Sequence, residues 1–126
     1  MLTVNEMSNK VIGLAIEVHS ALGPGLLENV YKECLFFKLR KESLFTEKEK
    51  LLPVIFEDVK LKCGYRIDLL VENELLIEIK SVKAINDIHL AQTLTYLRLG
   101  NYKLGLIINF NVKTLKDGIK RVVNGL

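Results

Sequence analysis

Apolar positions repeat with two different periods along the chain, and the change of period predicts the elements. Val4, Met7, Val11, Leu14, Val18 and Leu22 recur every three or four residues, the stripe of an amphipathic helix, with Asn5 or Ser8 as its expected N-cap. Gly23-Pro24-Gly25 stops it, and Leu27, Val30, Tyr31, Cys34, Leu35 and Leu39 predict a second helix from about Leu26 to Lys41. From Leu44 the pattern becomes extended. Strands are expected over Thr46 to Leu52, with Pro53 at an edge or bend, over Lys60 to Val71, and over Leu75 to Val82. Glu57-Asp58 and Glu72-Asn73-Glu74 are the turns between them. A third helix runs from a cap at Asn86 or Asp87 to a stop at Gly100. Leu104 to Phe110 is nearly continuous apolar sequence and predicts a strand buried on both faces. Leu115 to Val123 is expected to close the chain as a short helix. The order α-α-β-β-β-α-β-α predicts an α/β fold, an α+β sandwich with a mixed four-stranded sheet flanked by helices.

Composition narrows the class. The chain has 126 residues, 49% hydrophobic and 26% charged, which excludes wholesale disorder and predicts one domain over residues 1–126. Cys34 and Cys63 form no CxxC pair, so neither a disulfide scaffold nor a zinc ribbon is expected, and a reducing cytoplasm suits them. No uncharged run is long enough for a membrane span, and Met1 to Lys10 lacks the apolar stretch of a signal peptide. A net charge of +3 permits a polyanionic partner without demanding one.

The chemistry is concentrated in Tyr65 to Lys80, YRIDLLVENELLIEIK. With Glu72, Asn73 and Glu74 as the turn, Val71 faces Leu75 and Asp68 lies across from Glu78, with Arg66 across from Lys80. Side chains alternate along a strand. One face then carries Ile67, Leu69, Val71, Leu75, Ile77 and Ile79, and the other Arg66, Asp68, Leu70, Leu76, Glu78 and Lys80. Like charges side by side on a sheet are destabilising, and the leucines beside them imply partial burial. A hard divalent cation, Mg²⁺ or Mn²⁺, resolves the conflict with oxygen ligands from the carboxylates and a backbone carbonyl. Lys80 is then placed to position or deprotonate a water. E-x-K alone is common on exposed strands, where it serves solubility. Asp68, a tight turn and Glu78-Ile79-Lys80 in register make a stronger signal.

These residues resemble the D…(D/E)xK signature of the PD-(D/E)xK nuclease superfamily, whose members share a restriction-endonuclease-like fold. Ile67 stands where the signature's proline would be. Gly25 to Tyr31 reads G-x-x-E-x-x-Y, as in the GxxExxY protein family, and Gln92 to Tyr96 reads Q-x-x-x-Y, as in the branch containing recombination-type exonucleases. Leu104 to Arg121 is similar to the end of the GxxExxY family. The resemblance implies a metal held by Asp68, Glu78, the Ile79 carbonyl and Glu28, directly or through water, with Lys80, Gln92 and Tyr96 completing the catalytic set. Gly25 and Tyr31 are the other motif positions. Glu28 in the first turn of its helix has a plainer role open to it, favouring the helix dipole. Tyr31 has two: hydrogen bonding at the site, or core packing. His19 and His89 read as ordinary histidines. The implied activity is Mg²⁺-dependent hydrolysis of phosphodiester bonds in nucleic acid, DNA before RNA. The alternative is a catalytically silent module of the same fold that binds nucleic acid or protein, and a structural or toxin–antitoxin-style interaction protein ranks last. Because no separate recognition motif accompanies the core, a homodimer or a larger protein partner is expected.

Overall fold

The computed structural model describes residues 1–125; the side chain of Cys63 lies outside the described residues. Helix α1 spans Val4–Leu22 and α2 spans Glu28–Lys41; strands β1 (Thr46–Phe56), β2 (Val59–Val71) and β3 (Leu75–Lys80) follow. Helix α3 (Asp87–Gly100), β4 (Leu104–Asn109), a 3₁₀ turn (Leu115–Gly118) and β5 (Ile119–Val123) complete the chain. The five strands form one sheet in the order β1-β2-β3-β4-β5, with β3 and β4 parallel and every other pair antiparallel.

Local chemistry explains where the elements begin and end. Thr3 caps α1, rather than Asn5 or Ser8. Its hydroxyl accepts the Glu6 N–H while the Glu6 carboxylate accepts the Thr3 N–H, a reciprocal box that neither alternative has an acid placed to complete. Asn86 caps α3, and its partner is His89, whose ring nitrogen accepts the Asn86 N–H. The left-handed stop of α3 is Asn101 at φ 58°, one residue beyond the expected Gly100. At Gly100 the Tyr102 ring lies over the backbone, and a Cβ there would sit 2.1 Å from that ring and force it to shift. Pro53 falls where the β1–β2 register shifts, on an edge strand, as a missing N–H requires.

The closing segment departs from expectation. Residues 119–123 are not helical; they pair with the free side of β4 as a fifth strand. The apolar spacing of Leu115, Ile119 and Val122 fits a helix, but β4 is buried on both faces and would otherwise end the sheet with an open ladder. Gly118 permits the close approach, since a Cβ there would meet the Asn109 carbonyl oxygen at 2.2 Å.

Two clusters fill the two sides of the sheet. On one, Leu69, Val71, Leu75, Ile77, Ile79, Leu104, Leu106 and Ile108 meet α1 and α2. On the other, Ile67, Leu70 and Leu76 meet Leu52 and α3 through Tyr96 and Leu97. No helix among the described residues is long and apolar enough to cross a membrane.

Candidate active site

The expected register is present near the turn. Val71 pairs with Leu75, Leu70 with Leu76 and Leu69 with Ile77, and there the β2–β3 ladder stops. β2 continues with β1, and β3 with β4, so the two strands fork just beyond. Asp68 and Glu78 occupy the fork. Each carboxylate takes over a backbone N–H at the fork: Asp68 Oδ2 accepts Ile79 N–H at 2.8 Å, and Glu78 Oε2 accepts Asp68 N–H at 3.1 Å. The two acids are therefore on the same side of the sheet and in contact with each other's strand.

The pleat reverses at the same point, which corrects the expected faces. Glu49 of β1 has left-handed backbone, φ 54°, between the paired Lys48–Leu69 and Lys50–Ile67. Before it, Lys48 reaches Glu33 and the Phe36 ring of α2; after it, Lys50 bonds Glu47 instead. Ile67 consequently joins the cluster under α3 and not the larger core, and alternation turns Arg66 away from Asp68. The expected Arg66–Lys80 pairing is absent, because the ladder has already opened.

Glu78 is buried, 6% exposed. Burial first, and the Asp68 carboxylate second, push it up to about 9; the Lys80 ammonium pulls the other way. The pair thus holds one proton at neutral pH. Two apposed oxygen-donor carboxylates that must retain a proton to coexist fit a hard divalent cation, which would take that proton's place. Among the described residues no three His, Cys, Asp or Glu side chains are placed together to hold a metal, so a cation here would find these two acids and backbone oxygens as donors.

Tyr96 of α3 covers this side. Burial, then Glu78 and Tyr65, raise its phenol above the usual value, which places its hydroxyl in the field of the pair. Gln92 Nε2 donates to that hydroxyl at 3.1 Å, and the Tyr65 ring leans on the Tyr96 ring at 5.6 Å. The Q-x-x-x-Y spacing places both side chains on one face of α3.

Glu28 does not join the pair. Its carboxylate accepts Ser81 N–H at 3.2 Å, while Ser81 Oγ donates to the Leu26 carbonyl at 2.6 Å. The residue after Lys80 is thereby tied to the N-terminus of α2. Tyr31 settles on packing: it is fully buried and stacks on Phe110 at 4.5 Å. Its hydroxyl donates to the Gly23 carbonyl and accepts Leu26 N–H, clamping the loop in which Gly25 has φ 96°. G-x-x-E-x-x-Y is thus a loop–helix corner that aims Glu28 at the end of β3. His19 finds a partner in the Val112 carbonyl at 2.8 Å and His89 serves its cap.

Two residues that the sequence left unnoticed complete the frame. β3 ends at Lys80, not Val82, because buried Asn109 substitutes for the ladder: its side chain accepts Val82 N–H and donates to the Val82 carbonyl. Ser81 is the other. A polar residue closing the otherwise apolar run of β4 was the available signal for Asn109; Ser81 gave none.

Among sequence families, the model described as the PD-(D/E)XK nuclease superfamily matches residues 5–122, nearly the whole chain. No curated protein and no solved structure matches.

Proposed function

The chain belongs to the PD-(D/E)XK nuclease superfamily, and on that premise we propose that it is a Mg²⁺- or Mn²⁺-dependent nuclease hydrolysing phosphodiester bonds, with DNA ahead of RNA as substrate. The observation that carries this reading is the fork at which Asp68 and buried Glu78 share one partly buried polar site. Asp68, Glu78 and the Ile79 carbonyl would hold the cation, which when bound supplies neutralisation of phosphate charge and a more acidic attacking water. Lys80, two residues beyond Glu78 in β3, orients that water and stabilises charge on the phosphoryl oxygens. Gln92 and Tyr96 orient the scissile phosphate at the rim. Glu28 acts through Ser81, fixing the strand end that carries Lys80. A second copy or a larger partner would contribute to target choice.

The test is incubation of labelled DNA and RNA, single- and double-stranded, with Mg²⁺, Mn²⁺ or EDTA. Cleavage is expected with metal only. Lys80→Ala should slow turnover about 10²-fold, the range for a general acid–base or electrostatic group, with little change in affinity. Lys80→Arg keeps the charge but cannot accept a proton, and so separates the two roles. Binding without cleavage in either metal would reduce the protein to a nucleic-acid-binding module.

A further inference from the structure

The cations of this chain are divided between two regions. Residues 1–79 carry ten Lys and Arg against thirteen Asp and Glu, whereas residues 80–126 carry eight against two Asp. In the first region Lys10, Lys32, Lys38, Lys48 and Lys50 each lie within 4 Å of a glutamate oxygen. Among the described residues no Lys or Arg from position 80 onward does so. Half of the cations before position 80 are thus neutralised by a glutamate, whereas none of those described from the site's own lysine onward is.

Two of them flank a cleft of about 240 Å³ whose walls include Lys83, Asn109, Val112, Asp117, Gly118 and Lys120. It lies past the end of β3, where Asn109 pairs with Lys80. Lys80 pairs with Asn109 across β3 and β4, and Ile107 pairs with Lys120 across β4 and β5, so the cleft continues the row that begins at Glu78 and Lys80. The step from β3 to β5 is two strand spacings, about 10 Å. Asn109 forms a wall rather than a ligand, since both ends of its amide are engaged by Val82. Lys83 and Lys120 are exposed, and the single acid beside them, Asp117, is not within ion-pair distance of either.

We propose that the Lys83–Lys120 cleft binds the backbone phosphate flanking the scissile bond, so that the substrate strand runs from the Asp68–Glu78 fork across β4 towards β5. This rests on the nuclease reading and extends it with a direction and a sequence-independent contact. Phosphate contacts set register and affinity without reading bases. The two lysines touch no reacting atom, so they act on binding.

The experiment measures binding of a fluorescent oligonucleotide, single-stranded and duplex, in EDTA across a salt titration. Wild type is compared with Lys83→Gln/Lys120→Gln and with Lys38→Gln, a change at a neutralised cation on the other side of the sheet. The double variant should bind about tenfold more weakly. Its dependence of log affinity on log salt should be shallower by about 1.5, two phosphate contacts at roughly 0.7–0.9 each. In Mg²⁺ its KM should rise with kcat nearly unchanged, and Lys38→Gln should match wild type throughout. Wild-type cleavage with unaltered affinity and salt slope in the double variant would overturn the cleft and leave the nuclease reading standing. A weaker double variant with an unchanged salt slope would also overturn it, because no phosphate contact would have been lost. Failure of wild type to bind any oligonucleotide would overturn both.

Discussion

Ile77 and Glu78 are neighbours in β3 and point to opposite faces of one sheet, and the two faces are built for different tasks. The α1/α2 face gathers nineteen buried side chains into one cluster, including the Tyr31–Phe110 stack. The α3 face gathers six, and beside them it buries Glu78 against Asp68. Apolar burial stabilises in proportion to area, so the larger cluster supports the fold. The smaller one leaves room for a carboxylate pair that works against folding when no cation is present. The difference teaches that stability and chemistry are separated here by a single residue step along a strand.

The sharpest way to break that comparison is to change both neighbours. Asp68→Asn should lower metal-dependent cleavage at least 10³-fold, about 4 kcal/mol of transition-state stabilisation. Its apo stability should equal or exceed wild type, because the amide oxygen can still accept Ile79 N–H while the repulsion disappears. Ile77→Ala should do the reverse, costing about 2–5 kcal/mol of stability with little effect on turnover of the folded enzyme at low temperature. Thermal melts in EDTA and single-turnover rates decide. An Asp68→Asn protein that melts well below wild type would make Asp68 a structural residue, and the contrast between faces would fail.

How much of this was legible beforehand follows the same division. The register that sets Asp68 against Glu78 was readable, because period-2 alternation around a three-residue turn permits one pairing when one face must be apolar. Ile67 and Arg66 were misplaced because alternation assumes an uninterrupted pleat. The reversal at Glu49 is a backbone event on another strand, with no glycine to mark it. The fifth strand was missed because 119–123 is too short to declare its period, and its partner, the second edge of β4, exists only in three dimensions. Yet the unbroken apolar run of β4 already implied neighbours on both sides. Glu28 was read in the first turn of its helix, but its bond to Ser81 was not foreseen, because that contact depends on where β3 ends. That end is set by Asn109.

A second prediction tests the proton held by the pair. Glu78 in the folded protein sits near 9, against an unfolded value near 4.5. Its contribution is present in full below about pH 4.5 and is lost as pH rises towards 9, so the metal-free protein should weaken over that interval. By pH 7 the loss is on the order of 3 kcal/mol at 1.36 kcal/mol per unit. Glu78→Gln should remove this slope, matching wild type near pH 5 and exceeding it near pH 8. Mg²⁺ should restore wild type at high pH, since a bound cation takes the proton's place. Parallel melting curves for wild type and Glu78→Gln across that range would mean the pair is not strained.

The smallest effect concerns a residue on the stability face that serves the chemical one. The Tyr31 hydroxyl donates to the Gly23 carbonyl at 2.6 Å and accepts Leu26 N–H at 3.1 Å. Tyr31→Phe keeps the ring and its stack on Phe110 but removes both bonds. The cost should be about 1 kcal/mol, the net worth of a hydrogen bond, because Leu26 is exposed and water can replace the lost partner. The loop, however, also presents the Leu26 carbonyl to Ser81 and starts the helix that carries Glu28. Loosening it should free the strand end bearing Lys80, so turnover should fall at temperatures where the variant is fully folded, and substrate affinity should hold. If Tyr31→Phe loses the expected stability yet cleaves at the wild-type rate, the corner is a fold element alone, and Glu28 needs no precise aim. If turnover falls with Glu28→Ala as well, and the double variant is no worse than either single change, the hydroxyl and the carboxylate act through one contact, the bond to Ser81.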